Sequence, residues 1–306
     1  MYSIAPDYYP SFRCIADRCR HTCCRGWEID IDAETLSYYN SVPGDIGARI
    51  RGSIVTCDGV SSFRLQGDDE RCPFLNSTGL CDIITHLGED ALCQICDDHP
   101  RYYNDFDTFT QVGVGLACEA AADLILRRHQ PAAFITLADD AAPTAPTDEE
   151  ADFLRLMDAL LSVITDRSMP LALREEKLLA MLGVSMQEPS PEESAALYGS
   201  LELLDSQWQA ALQRLTSSST LLTNEVMREQ LLAYFIMRHL AAGFDDGDYA
   251  VPAAFAIHAG RLIASLARTE DEFVDIARMY SSEIEYSDEN LPAVMDFVAA
   301  HLTDIN

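Results

Sequence analysis

Residues 12–27 read Phe12-Arg13-Cys14-Ile15-Ala16-Asp17-Arg18-Cys19-Arg20-His21-Thr22-Cys23-Cys24-Arg25-Gly26-Trp27. A second group of cysteines follows at Cys72, Cys81, Cys93-x2-Cys96 and Cys118, and only Cys57 stands apart. Converging thiolates donate charge to a borderline or soft cation, so the pattern predicts zinc or an iron–sulfur cluster. The ligand set drawn from it is Cys14, Cys19, Cys23, Cys24, Cys72, Cys81, Cys93, Cys96 and Cys118. The competing readings are a disulfide framework and inert buried thiols. The opening Met1-Tyr2-Ser3-Ile4-Ala5-Pro6-Asp7 has no basic stretch followed by an apolar one, which places the chain in the cytoplasm. With 306 residues it also buries a core without covalent staples.

The spacing fits no standard site. A zinc ribbon shows two Cys-x2-Cys knuckles, and this chain has only Cys93 and Cys96. Ferredoxin spacing is absent too. Neighbouring side chains such as Cys23 and Cys24 point to opposite faces of an extended backbone. The excess of thiols therefore implies two metal sites or one cluster inside a thiol-rich shell.

Around these residues the first part of the chain, 1–137, reads as an irregular α+β metal-binding domain. Ile29 and Ile31 suggest an extended piece, and a helix is expected from Ala33 to Tyr39. Ile54 to Phe63 reads as a hairpin around Asp58-Gly59. A helix from Gly88 to Asp97 would put Cys93 and Cys96 on one face, and another from Ala117 to His129 would carry Cys118 in its first turn. Small residues, acids and two prolines make 138–147 a linker.

Residues 148–306 read as an all-helical domain, making the chain mainly α. Thr147-Asp148-Glu149-Glu150, Ser190-Pro191-Glu192-Glu193 and Thr269-Glu270-Asp271-Glu272 are helix starts. Phe153, Met157, Leu160, Leu161 and Ile164 follow the first at helical spacing. Leu197, Leu201, Leu204, Trp208 and Leu215 form a stripe after the second. Helices are also expected over about 224–242, 252–268 and 288–302, with no strand.

The formal net charge is -29, which argues against a nucleic-acid partner because phosphates would be repelled. It favours a cationic partner, as does the acidity around Asp245 to Asp248 and Glu283 to Glu289. Lys177 is the only lysine among 21 basic residues. No run of eighteen apolar residues occurs, so no membrane span is expected.

Phe12-x-Cys14-x4-Cys19-x3-Cys23-Cys24-x-Gly26-Trp27-x-Ile29, then Asp32 and Thr35, resembles the opening of the flagellin lysine-N-methylase (FliB) family. Arg71-Cys72-Pro73-Phe74-Leu75-Asn76, Gly79-Leu80-Cys81, Leu87-Gly88-Glu89, Leu92-Cys93-x2-Cys96, Pro100-Arg101 and Leu116-x-Cys118-x-Ala120-Ala121 agree with it. The resemblance covers roughly residues 8–130. His99 stands where the family usually has tyrosine, and Cys118-Glu119 where it often has Cys-Pro-Glu. The resemblance implies transfer of methyl groups from S-adenosylmethionine to lysine side chains of flagellin, with a 4Fe-4S cluster; zinc is the alternative metal. A non-enzymatic, metal-stabilised interaction protein is the alternative function.

The residues themselves show no Gly-rich turn between strand and helix, so no Rossmann fold is expected; Gly113-x-Gly115 is too short a fragment. Methylation needs a neutral amine, while free lysine has a pKa of about 10.4. Tyr102, Tyr103, Asp105 and Glu119 are the candidate catalytic residues, by their place beside the cysteines. Arg101 is the candidate to hold a cofactor carboxylate. His21 and His99 are possible nitrogen ligands, and Trp27 reads as packing beneath the first cysteine group.

Overall fold

The computed structural model describes residues 2–137, 145–215 and 222–305. Among them thirteen α-helices outweigh three small sheets, so the chain is mainly α, as expected. No helix of the described residues is long and apolar enough to cross a membrane.

The compact units are drawn differently from the expected 1–137 and 148–306. One unit joins Met1–Phe12 to Tyr102–Asn306, and the other is Arg13–Arg101. Part of the expected linker, 138–144, lies outside the described residues. The reason for the difference is a sheet that the sequence reading missed. Tyr2–Pro6 runs parallel to Phe109–Val114 and antiparallel to Phe134–Thr136. Arg101–Asp105 is the fourth strand, beside Phe109–Val114. Only Phe106, Asp107 and Thr108 connect those two, a reach that allows only an antiparallel pair.

Ile4, Tyr8, Phe109, Val114 and Ile125 share one apolar core with Phe153, Leu160, Leu231 and Phe235 of the helices. A chain that buries both sets of surfaces together has no reason to separate at its proline-rich segment. The Arg13–Arg101 unit is thus an insertion between two parallel neighbours of one sheet. With a single parallel pair, that sheet is no doubly wound Rossmann fold.

The expected helix starts form, with differences in detail. Thr147 and Ser190 each make a reciprocal capping box, with Glu150 and Glu193. Thr269 accepts from the Glu272 amide, while the Glu272 carboxylate turns to the Arg268 amide instead. The stripe after Ser190 is broken into helices Pro191–Ser200 and Ser206–Leu212, which leaves Leu204 62% exposed. Two strands also occur in the helical half, Val184–Met186 against Leu302–Asp304. At three residues each, they are too short to show a two-residue period.

Glu150 does more than cap. Its carboxylate accepts from the Thr108 amide at 2.9 Å, the Thr108 hydroxyl at 2.7 Å and the Thr147 amide at 2.8 Å. Burial opposes its ionised form, but these hydrogen bonds outweigh burial and hold its pKa below the usual carboxylate range. Replacing Glu150 by alanine should therefore cost about 2 kcal/mol at pH 7. A depressed folded-state pKa gives stability that is present above the unfolded value and lost as pH falls. The gap between variant and wild type should accordingly shrink below about pH 4. Urea unfolding at pH 7 and pH 3 measures it, and an unchanged gap at pH 3 would exclude the ionised carboxylate as its source.

The Arg13–Arg101 unit has its own core of Ile29, Ile31, Tyr39, Ile50, Phe63, Phe74, Leu75 and Ile83, with Cys72 and Cys93 among them. The hairpin forms as expected, Ile54–Cys57 against Val60–Phe63. Its turn residues Asp58 and Gly59 both have positive φ, 49° and 88°, as such a two-residue turn requires.

Candidate metal centre and a second polar cluster

Three local devices gather cysteines in the Arg13–Arg101 unit. The Cys72 amide donates to the Cys24 carbonyl at 2.9 Å, which ties the first cysteine group to the second. Leu75 bridges to Cys81, folding the Cys72-Pro73-Phe74-Leu75 run back on itself. The Arg71 guanidinium closes this loop by donating to the carbonyls of Leu75 at 2.6 Å and Asn76 at 2.8 Å. Cys93 caps the short helix Gln94–Asp98, and its carbonyl accepts from the Cys96 amide at 2.9 Å. The expected helix over Gly88–Asp97 is thus broken at Cys93. As a result Cys24, Cys72, Cys81, Cys93 and Cys96 lie in or against one apolar cluster.

Their thiols differ. A hydrogen bond from Cys23 is the main cause that lowers Cys24 to about 7, against burial and with help from Thr22 and Arg71. Burial pushes Cys72 up to about 12 and raises Cys81. The Cys93 thiol is lowered by its bond with Cys96, and Cys96 is raised by the same bond and by burial. None of the ten cysteines forms a disulfide.

Of the other predicted ligands, Cys23 bonds to Cys24 of this cluster, while Cys14, Cys19 and Cys118 are not members of it. Cys14 and Cys23 are exposed, and Cys19 bonds to the His21 carbonyl at 3.3 Å. Cys118 belongs to the other compact unit. It caps the helix Glu119–Leu126 and does not lie in its first turn. Among the described residues, no group of three or more Cys, His, Asp or Glu side chains is arranged to hold a metal ion. The fit to a soft metal is one of donor chemistry, five thiols in one apolar cluster, and not of preformed geometry.

Several candidates have structural partners. Arg101 donates to the Asp97 carbonyl at 2.9 Å, finishing the Gln94–Asp98 helix. Asp105 accepts from the Thr110 hydroxyl at 2.8 Å across the hairpin. Tyr103 is exposed, and Glu119 is buried at the start of its helix. His99 is brought down to about 4 by burial and lies against Trp27, with ring centroids 5.8 Å apart. Trp27 is half-buried rather than core, and its indole donates to the Cys23 carbonyl at 2.6 Å. Beside Cys93 and Cys96 opens a cavity of about 470 Å³ lined by Asp32, Glu34, Asp90, Asp97, Tyr38 and Gln94. Its chemistry suits a cation and repels phosphate.

Sequence reasoning missed a second cluster, in the other unit. Arg238 lies between the rings of Tyr102 and Tyr286, 5.0 and 4.8 Å from their centroids. The buried Glu285 carboxylate holds it at 3.2 Å. Tyr234 donates to Glu285 at 3.0 Å and accepts from Arg238 at 2.8 Å and from the Leu116 amide at 3.2 Å. His239 Nε2 is 2.6 Å from Glu285, so that nitrogen is the donor. Burial lowers the His239 pKa despite Glu285, while Arg238 and His239 keep Glu285 low against burial. The available signal was Gly113-x-Gly115. A Cβ on Gly113 would collide with Tyr102, and one on Gly115 with Tyr286 and Arg238. Gly113 lies within strand Phe109–Val114, and Gly115 follows that strand ahead of helix Glu119–Leu126.

No protein-family model and no solved structure matches the chain. The lysine-N-methylase of Salmonella typhimurium is 23% identical to it over 205 residues, 65% of this chain and 46% of that protein. The same figures hold for the lysine-N-methylase of Salmonella choleraesuis. The chain is thus similar to lysine-N-methylases. The flagellar biosynthetic protein FliU of Salmonella muenchen is 27% identical over 126 residues, 40% of this chain and 75% of that protein. The similarity read from the cysteine motifs is therefore found independently, although the chain aligns with less than half of each lysine-N-methylase.

Proposed function

We propose that the protein is a protein-lysine N-methyltransferase that takes methyl groups from S-adenosylmethionine and acts on flagellin. The observation that carries this reading is the similarity to the lysine-N-methylases over 205 residues. The cysteine-rich unit supports a metal in the same reading. Three of Cys24, Cys72, Cys81, Cys93 and Cys96 would hold a 4Fe-4S cluster, which when bound would leave one iron open as a Lewis acid. The chain's own part is to attract and neutralise the lysine amine. The acidic cavity beside Cys93 draws a cationic side chain, with a rate that falls as salt rises.

The partial coverage of the relatives favours one second reading, a metal-stabilised accessory protein whose zinc is structural. Anaerobically purified protein with flagellin and methyl-labelled S-adenosylmethionine separates the two. Label on flagellin lysines and a broad absorbance near 400 nm are expected. Colourless, zinc-loaded protein that transfers label only when another methyltransferase is added would establish the accessory reading.

A further inference from the structure

Cys93-Gln94-Ile95-Cys96 is distinct among the gathered thiols because both of its cysteines lie on one turn. The Cys93 carbonyl accepts from the Cys96 amide at 2.9 Å and from the Asp97 amide at 3.0 Å. A turn closed in this way brings its first and fourth Cα atoms within about 7 Å of each other. A disulfide spans Cα atoms about 4.4–6.8 Å apart, so the backbone already holds the pair near bridging distance. The thiols face each other as well, since they share a hydrogen bond.

Cys23 and Cys24 also meet through their side chains, but a bridge between neighbours in sequence would distort the planar peptide that joins them. Exposure then sets an order within the Cys93–Cys96 pair. Cys96 is half-buried, whereas Cys93 is 1% exposed. A small molecule from solvent therefore meets Cys96 first, with Cys93 packed behind it.

We propose that Cys93 and Cys96 form a reversible redox latch that closes in the metal-free chain and blocks metal binding. The inference rests on the metal of the reading above, and names how that site is regulated and two members of its ligand set. The oxidant is a low-molecular-weight disulfide. Its S–S bond breaks as Cys96 takes one half and the other half leaves as a thiol. Cys93 then attacks the Cys96 sulfur, expels the second half as a thiol and leaves the Cys93–Cys96 bond. The two protein thiols lose two protons and two electrons in all, and the oxidant gains them. A closed latch withdraws two of the five gathered thiols, and a bound metal occupies the same sulfurs, so loading and closure exclude each other.

The test uses the full chain, stripped of metal by a chelator without oxygen and treated with 2-hydroxyethyl disulfide. After denaturation and alkylation, its mass should show two fewer modified thiols than the ten of the reduced chain. Peptide mapping should place the bridge between Cys93 and Cys96. Uptake of iron or zinc by the bridged chain should fall by about tenfold or more and return with dithiothreitol. Cys93→Ser removes the displacing thiol, so half of the probe should stay attached at Cys96. Loaded protein should resist the same treatment. Ten free thiols after treatment, a bridge at any other pair, unchanged metal uptake by the bridged chain, or equal bridging of loaded and stripped chain overturns the latch. Each of these leaves the methyl-transfer reading standing, because that reading is tested on loaded, reduced protein. A reduced chain that takes up neither iron nor zinc brings down the metal and the latch together.

Discussion

Replacing Glu229 by alanine should lower the unfolding free energy by about 3–5 kcal/mol, the cost of leaving a buried cation without its partner. Glu229 and Arg174 are almost fully buried, with side chains 1% and 2% exposed and Oε2 and Nη1 2.7 Å apart. Arg167 clamps the same carboxylate through Nε and Nη2, at 3.0 and 2.8 Å. Without Glu229, Arg174 keeps among the described residues the Ile164 carbonyl at 2.6 Å and the half-exposed Glu225 at 3.5 Å. The comparison is Arg155→Ala, which removes an ion pair with Asp152 whose side chains are 69% and 74% exposed. Exposed pairs of that kind contribute about 0–1 kcal/mol. Urea unfolding followed by circular dichroism should separate the two variants clearly. Equal midpoints would mean that Glu229 is solvated in solution and that helices Leu171–Met181 and Glu225–His239 are not locked through it.

Glu229 also shows where sequence reading reaches its limit. Helix starts were legible because capping is local: Thr147 and Glu150 find each other within three residues whatever surrounds them. The hairpin at Asp58-Gly59 was legible for the same reason. The four-stranded sheet was not, because it joins Tyr2–Pro6 to strands more than a hundred residues away, and Phe109–Val114 is buried on both faces and shows no alternation. Glu229 sits in a helix that is buried nearly all round, yet an acid on a helix reads by default as a solvated face. The catalytic candidates suffered likewise. Tyr102 was named for its closeness in sequence to the cysteines, whereas its actual neighbour Arg238 comes from a distant segment. The clustering of the cysteines, by contrast, stands in the sequence itself. Only the subset that comes together, Cys24 with Cys72, Cys81, Cys93 and Cys96, needed the structure.

That subset carries the remaining large effect. Cys72→Ser and Cys96→Ser should each lower the iron or zinc in anaerobically purified protein by about tenfold or more, because a hydroxyl is a poor substitute for a soft thiolate. Melting should fall as well. Structural zinc supplies about 10–16 kcal/mol of folding free energy in small zinc-binding peptides, and the Arg13–Arg101 core is small enough to depend on such a contribution. Cys72 and Cys93 are themselves core residues of that unit, 6% and 1% exposed, so metal binding and packing are coupled there. Serine at Cys72 also buries a hydroxyl in an apolar site, which alone costs about 1–3 kcal/mol. Cys72→Ala removes that complication and should lose metal to the same degree. The control is Cys57→Ser, at the exposed end of its strand beside Asp58, which should keep full metal and unchanged melting. Elemental analysis of each variant gives the answer directly, and the same measurement on Cys14, Cys19, Cys23 and Cys118 assigns the rest of the ligand set. Full metal content in Cys72→Ala and Cys96→Ser together would show that the gathered thiols are packing residues and that any metal lies elsewhere.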